Sequence, residues 1–384
     1  MGRVTLFAFA ALLHAYLGWR LVGPLAAWPW AAASLSLLLV ASAVLLPLAL
    51  IGLRRRSSST HSLTQIALAW AGMGAMGLFS SLFVFTLLRD AVLLLTTVVQ
   101  ALWPASTPAE SLATPSALAV LAAAAFATGM GAWNARRTAA VVAVDVPIAG
   151  LPAALHGFSI AQISDIHVGP TIRSAYVQAI VERVNGLGAD MVAVTGDLVD
   201  GSVAELSAHV APLAGLSSRH GTFFVTGNHE YYSGAHAWIA ELRRLDIRVL
   251  LNEHVLLGHD GAALLVAGVT DPSAHHFDVT HRSDPHAAIA GAPAHAGMRL
   301  LLAHQPRSAA AAAEAGFHLQ LSGHTHGGQF WPWNLFVRLQ QPYTAGLHRL
   351  ADLWVYTSRG TGYWGPPKRF GAASEITHLR LVPA

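Results

Sequence analysis

The stretch Phe158–His167, FSIAQISDIH, decides how the C-terminal part of this chain reads. Six residues of mostly apolar, strand-forming character end abruptly in Ser-Asp-Ile-His, so an apolar strand is predicted to deliver polar, metal-type side chains at its carboxyl end. The same grammar recurs four more times: MVAVT before Gly196-Asp197, TFFVT before Gly227-Asn228-His229-Glu230, RLLLA before His304, and LQLS before Gly323-His324-Thr325-His326. In an open α/β sheet the ligand crevice lies beyond the carboxyl ends of the strands, where these residues would gather. Around them, short apolar runs alternate with helical stretches from residue 138 onward, the pattern of an α/β domain. Strands are predicted at 139–147, 158–164, 191–196, 222–226, 247–251, 263–269, 298–303, 317–322, 352–357 and 376–382. Helices are predicted at 174–187, 203–216, 235–245 and 307–315.

Side chains alternate along a strand, so Asp165 and His167 are expected on one face of an extended strand end, and His324 and His326 likewise. Glycine before Asp197, Asn228 and His324 lets the backbone turn at a crowded place. The set offers three oxygen-type and four imidazole groups (Asp165, Asp197, Asn228; His167, His304, His324, His326). The chain has no cysteine, which removes disulfides, thiolate ligands and a cysteine nucleophile. Oxygen and nitrogen donors of this kind suit Mn, Fe, Zn or Co. Seven donors exceed what one ion with open positions needs but fit two ions sharing a carboxylate. Two such ions about 3.5–4 Å apart can clamp the attacking and leaving oxygens of an in-line displacement, which points to phosphoryl chemistry.

The N-terminal part has a different solvent. Up to Arg137 there are eight basic and two acidic residues, against fifteen basic and eighteen acidic in the remainder. The positive balance of the whole chain therefore sits in the apolar half, and an obligate nucleic-acid partner, which needs basic residues clustered on the folded domain, is not expected. Four stretches, roughly 4–23, 29–53, 66–88 and 116–134, have the ~20 apolar residues of a transmembrane helix. Residues 91–103 are apolar but short, set off by Arg89-Asp90, and read as an interfacial segment, a re-entrant segment or a helix extension rather than a span. The first stretch lacks a signal-peptidase pattern and is expected to remain in the protein. Arg54–Arg56 and Arg136-Arg137 follow the second and fourth spans, so the positive-inside rule, in agreement with the even span count, places those ends, and the domain that follows, in the cytoplasm. The polar loop 54–62 would lie on the same side and 104–115, without basic residues, on the other.

The motifs DIH, GDLVDG, GNHEYY, LAHQP and GHTHGGQ, in that order, resemble the calcineurin-like metallophosphoesterases. With the later SRGTGYWGPPKR they resemble the bacterial membrane-associated branch of YkuE- and YaeI-type phosphodiesterases. The resemblance covers about residues 140–384 and not the membrane half. The four apolar stretches make residues 1–137 a multi-pass membrane domain, and over 138–384 the resemblance implies a metallophosphoesterase domain built as a sandwich of two mixed β-sheets flanked by helices. It further implies that Asp165, His167 and His326 bind one metal, that Asn228, His304 and His324 bind the other, and that Asp197 bridges them. His229 would not bind metal; it would face the leaving-group or phosphoryl oxygens as a general acid or electrostatic stabiliser. Arg307 and His318 stand where that branch suggests acidic residues.

These readings predict a metal-dependent phosphoric ester hydrolase of the inner membrane, with two divalent ions as cofactors and a phosphodiester as substrate. The bilayer is its expected partner, and a lipid-linked ester is among the candidate substrates. A phosphomonoesterase, a silenced membrane sensor or transporter, and a structural metal scaffold are the competing readings; the complete donor set and an intact His229 argue against silencing. Asp200, which follows the bridging carboxylate in sequence, reads as a structural hydrogen-bond acceptor, with direct metal binding as the alternative. His209, His220, His236, His275, His276, His281, His286 and His295 read as solvated surface. Trp331, Trp333, Tyr363 and Trp364 read as core, as rim packing or as membrane-interface residues; Arg359, Lys368 and Arg369 read as phosphate contacts or solvated charges.

Overall fold

The computed structural model describes residues 2–54, 63–293 and 296–384. Residues 55–62, which include Arg55 and Arg56 of the basic cluster, lie outside the described residues, as does His295. Two compact units emerge, one of residues 1–133 with 365–370 and one of residues 134–364 with 371–384.

Among the described residues the first unit holds four α-helices: α1 (Arg3–Leu21), α2 (Pro29–Arg54), α3 (Leu63–Leu102) and α4 (Ala113–Arg136). All four are long and apolar enough to cross a bilayer. Their shared interior is Leu17, Leu21, Leu35, Leu39, Leu82, Val120 and Ala124. Helices α2 and α3 pack closely enough that a Cβ on Gly72 would collide with Ala49 and come within 2.7 Å of the Leu45 carbonyl oxygen, the small-residue packing that membrane helices favour.

Of the readings open for residues 91–103, the helix extension is the one observed. Helix α3 runs unbroken through Arg89-Asp90, so 91–102 are a continuation of the third helix. The helix tolerates the charges because they are compensated inside the unit. Asp90 accepts from Arg20 Nη2 (2.7 Å) and Tyr16 Oη (2.7 Å), while Arg89 donates to Ser116 Oγ (2.8 Å) and the Ala113 carbonyl (2.9 Å). At about 1.5 Å per residue α3 is ~60 Å long, twice the ~30 Å hydrocarbon core.

Segment Gly365–Phe370 belongs to this first unit. Lys368 Nζ donates to the Gly77 carbonyl (3.0 Å) and to Ser81 Oγ, Arg369 N donates to the Gly131 carbonyl (2.8 Å), and Phe370 meets Phe126 edge-on. Both basic side chains are buried. They are therefore neither solvated nor phosphate contacts of the kind the sequence suggested, because glycines at 77 and 131 leave room for the loop to pack.

Among the described residues the second unit has twelve strands: β1 (Ala140–Ile148), β2 (Ser159–Ile163), β3 (Met191–Val194), β4 (Thr222–Phe224), β5 (Ile247–Val249), β6 (Glu253–His259), β7 (Ala262–Gly268), β8 (Met298–Leu302), β9 (Leu319–Ser322), β10 (Gly346–Leu350), β11 (Leu353–Thr357) and β12 (Glu375–Pro383). They form two mixed six-stranded sheets, ordered β1-β12-β2-β3-β4-β5 and β10-β11-β9-β8-β7-β6. The inner faces meet over Ile160, Met191, Phe223, Leu264, Leu300 and Leu319. Helices α5 (Ser174–Asn185), α6 (Val203–Val210) and α8 (Ala235–Arg244) cover the outer face of the first sheet, and α9 (Pro285–Ile289) and α10 (Ala309–Glu314) that of the second. The short α7 (Asn228–Ser233) follows β4. Within each sheet, β2, β3 and β4 run parallel, as do β7, β8 and β9. All the polar motifs thus leave the carboxyl ends of neighbouring parallel strands.

Candidate metal centre

The seven proposed ligands and His229 converge at those strand ends, but by a different backbone route from the one strand alternation suggests. Strand β2 stops at Ile163 and β9 at Ser322. Beyond them Asp165 (φ 53°), His167 (φ 56°), Asp197 (φ 51°), His324 (φ 68°) and His326 (φ 52°) all occupy the left-handed region. Each such residue costs on the order of 1–3 kcal/mol unless its surroundings over-determine it. Here the surroundings are the opposing loops. A Cβ at Gly323 would collide with Ser164 and Asp165, and one at Gly227 would come within 2.6 Å of Asp197 N. These two glycines are needed for close approach, whereas Gly196 (φ 87°) supplies the turn itself.

The side-chain geometry divides the residues into two groups around one carboxylate. In the first, His167 Nε2 and His326 Nε2 are 3.0 Å apart and Asp165 Oδ1 is 3.4 Å from the latter. In the second, His304 Nε2 and His324 Nδ1 are 3.2 Å apart. Asp197 Oδ2 lies between them, 3.2 Å from His304 Nε2 and 3.9 Å from His167 Nε2. The opposite nitrogens are spoken for: His304 Nδ1 donates to the Thr195 carbonyl (2.8 Å) and His167 Nδ1 to Asp200 Oδ1 (3.1 Å). That fixes the tautomer and turns the free lone pair inward, the arrangement typical of metal-bound imidazole. Asn228 Oδ1 is buried with no hydrogen-bond partner. Among the described residues, Asp165/His167/His326 and Asp197/His304/His324 each bring one ligand atom per residue within 4.8 Å of the others. Converging lone pairs, a shared carboxylate and an orphaned amide oxygen fit divalent cations.

Electrostatics tell the same story. Burial alone would raise the Asp197 carboxyl, but His304, His229 and His167 outweigh it and hold it well below the usual carboxylate range. Burial, reinforced by His304, lowers His324 to about 3, so its imidazole is neutral and able to ligate. His229 keeps its Nδ1 on Asp200 Oδ1 at 2.6 Å, and its backbone N–H donates to Asp197 Oδ1 at 2.9 Å. Against the effect of burial, Asp197 and Asp200 raise it to about 9. Asp200 thus accepts from two imidazoles, those of His167 and His229.

Glu230 is the functional residue that the sequence reading passed over. Fully buried, it accepts backbone N–H groups from Gly227 (2.6 Å), Leu198 (2.8 Å) and Asp197 (3.0 Å), pinning the loops after β3 and β4 to each other. Its signal was present: a Glu at the third helical position after a helix-capping residue reaches back to the cap. Burial, together with Asp197, pushes its carboxyl up to about 8.

Other residues fall elsewhere. Arg359 pairs with Glu375 (2.9 Å). Tyr363 is buried and donates to the Thr171 carbonyl (3.3 Å), so it is core. Trp364 is exposed at the rim, its ring 5.7 Å from that of His229. Trp331 and Trp333 are exposed. His281 is half-buried against Tyr231, and His220 pairs with His259 (3.0 Å), so neither is a freely solvated histidine.

A two-sheet sandwich whose parallel strand ends gather histidine, aspartate and asparagine defines a class of metal-binding hydrolase folds, and comparison with known proteins identifies which one. Residues 158–328 match the calcineurin-like phosphoesterase family. The chain is 33% identical over 220 residues to an uncharacterized metallophosphoesterase of Aquifex aeolicus (strain VF5), covering 57% of this chain and 82% of that protein. It is 27% identical over 243 residues to the uncharacterized metallophosphoesterase YkuE of Bacillus subtilis (strain 168), covering 60% and 81%. It is 42% identical over 267 residues to a transmembrane protein with metallophosphoesterase domain of Bos taurus, covering 66% of this chain and 60% of that protein. The chain belongs to the calcineurin-like metallophosphoesterases, and spans about three-fifths of the length of its bovine relative.

Proposed function

We propose that this protein is a membrane-anchored phosphodiesterase that hydrolyses its substrate at a pair of divalent ions. Asp165, His167 and His326 would hold one ion and Asn228, His304 and His324 the other, with Asp197 shared. The observation that carries the reading is the position of Asp197 Oδ2 between two pairs of imidazole nitrogens, each pair 3.0–3.2 Å apart. Bound there, the ions would supply Lewis acidity to the phosphoryl oxygens and lower the pKa of an attacking water. The chain's own contribution is to orient and to protonate. Asp200 holds His229 through Nδ1, so the proton of its other nitrogen, Nε2, 4.0 Å from Asp197 Oδ2, is available to the leaving oxygen. Glu230 keeps the loops carrying Asp197 and Asn228 in register.

Direct attack of water on phosphorus predicts that hydrolysis in oxygen-18 water labels the phosphate-containing product. Label found only in the released alcohol would overturn that mechanism.

The catalytic unit is proposed to lie on the cytoplasmic face and to act on a phosphate ester at the bilayer surface of the cell membrane. Support comes from the basic residues at the ends of α2 and α4 and from the connection itself, since β1 begins at Ala140, directly after α4 ends at Arg136. Trp333, Leu335, Phe336 and Leu339 add an exposed apolar run, with Leu339 81% exposed, and tryptophan with such neighbours suits a membrane–water interface. A C-terminal alkaline phosphatase or fluorescent-protein fusion tests the side. Phosphatase activity without fluorescence would reverse the placement and leave the chemistry intact.

A further inference from the structure

Away from the centre just described, the second unit assembles another set of nitrogen and oxygen donors. His236 stands in the first turn of α8, while Asp278 and His281 bracket one turn of the segment that follows Phe277. One ligand atom from each of the three lies within 4.8 Å of the other two. His236 Nε2 is 3.0 Å from Asp278 Oδ2, and the His236 and His281 ring centroids are 5.1 Å apart.

The remaining polar atoms of the group are held in place. Asp278 Oδ1 accepts from Thr280 N (2.9 Å) and Thr280 Oγ1 (2.6 Å), leaving Oδ2 for His236. His281 N donates to the Asp278 carbonyl (3.0 Å), closing the turn. His281 Nδ1 shares a hydrogen bond with the Tyr231 hydroxyl (2.8 Å), so Nε2 is the nitrogen left for a ligand.

We propose that His236, Asp278 and His281 form a separate divalent-metal site, a two-imidazole, one-carboxylate set that takes Zn²⁺, with water completing the tetrahedron. A plain His236–Asp278 ion pair would account for only two of the three residues. It leaves unexplained why a second imidazole is brought to the same carboxylate, where two imidazolium ions would repel each other. The anchoring of His281 by Tyr231 matches the support that metal-bound imidazoles usually receive. Tyr231 in turn lies on α7 beside Tyr232, whose ring is 5.3 Å from that of His229. The proposed site therefore borders the helix that carries the catalytic histidine.

The test is a Zn²⁺ count on the full chain in detergent, by mass spectrometry after desalting, with competition against a chelator for affinity. His236→Ala is the primary variant, since its side chain is exposed and its loss does not endanger folding. His236→Ala and Asp278→Asn are each expected to lose the same single Zn²⁺ equivalent, or to weaken it at least about tenfold, as removal of support alone already costs 10–100-fold at metal sites. Both should keep basal phosphoesterase turnover. The double variant His304→Ala/His324→Ala, altered at the other cluster, should retain that equivalent, so failure of the catalytic reading and failure of this one give different results. Unchanged Zn²⁺ stoichiometry and affinity in His236→Ala, or loss in His236→Ala without loss in Asp278→Asn, would overturn the proposal.

Discussion

Replacing Glu230 by Gln separates pinning of the loops from chemistry at the ions, because Glu230 touches neither His229 nor the proposed ligands through their side chains. Its Oε2 accepts from Gly227 N and Asp197 N, and its Oε1 accepts from Leu198 N. All three partners are donors, so they are met in full by the ionised carboxylate, the form that predominates above the pH of about 8 to which burial and Asp197 push this group, and the comparison is made there. An amide keeps one acceptor oxygen. Set toward Gly227 and Asp197, it leaves an NH₂ group facing the Leu198 N–H. One charge-assisted bond worth about 1.5–3 kcal/mol is lost and a buried donor is left unsatisfied at roughly 1–3 kcal/mol, a combined cost of about 2.5–6 kcal/mol if nothing relaxes. Relaxation of the two loops lowers the cost and shifts it onto the positions of Asp197 and Asn228. Metal affinity in Glu230→Gln is therefore expected to fall about 10–100-fold, as when the hydrogen-bond support of metal ligands is removed, equivalent to about 1.4–2.7 kcal/mol. Chelator competition with Mn²⁺ on the full chain measures it, and turnover at saturating Mn²⁺ should recover substantially. Wild-type metal affinity together with a wild-type melting temperature would refute the claim that Glu230 holds the two loops together.

Other perturbations have separate expected outcomes. His229→Ala should lower kcat by about 10²–10⁴, the range of general acid–base catalysis, with metal content unchanged by mass spectrometry; loss of metal would instead make it a ligand. Asn228→Ala removes the orphaned amide oxygen and should cost one ion's affinity while leaving the other's intact, read as two separated steps in a Mn²⁺ titration. Gly72→Ala drives a methyl group into Ala49 and the Leu45 carbonyl and should destabilise the helical unit by about 1–3 kcal/mol, the usual cost of overpacking. Gly74→Ala, where nothing lies within 4 Å of the new Cβ, is the control in the same detergent melt.

Ten strands of the α/β domain were legible because they are covered on both faces or carry strong apolar runs, whereas their division into two sheets was implied only by the resemblance of the motifs to a known family. The two strands that escaped, β6 and β10, are the outer strands of the second sheet. An edge strand buries less, and β6 alternates exposed Glu253, Leu256 and Gly258 with buried Val255 and Leu257, while β10 has no buried residue. Short α7 and α9 were missed for a related reason, since five or six residues hold too little periodicity to read. The proposed ligands could be picked out because each follows an apolar run. How they meet could not: alternation along an extended strand was expected, whereas left-handed turns at Asp165, His167, His324 and His326 deliver them. Those turns are imposed by loops far apart in sequence, as where Gly323 lies against Ser164 and Asp165, and no local propensity encodes them. Likewise, nothing local signals that Lys368 and Arg369 are buried, since their company is Gly77, Ser81 and Gly131, more than two hundred positions away.

The central claim, hydrolysis of a phosphodiester at ions gathered around Asp197, is tested most directly by turnover of bis(p-nitrophenyl) phosphate. The purified full chain is stripped of metal and re-loaded with Mn²⁺, with Asp197→Asn measured alongside. The account predicts no turnover after stripping, recovery with Mn²⁺ in the wild-type chain, and loss of most activity in Asp197→Asn. Undiminished turnover in Asp197→Asn with metal still bound would contradict it.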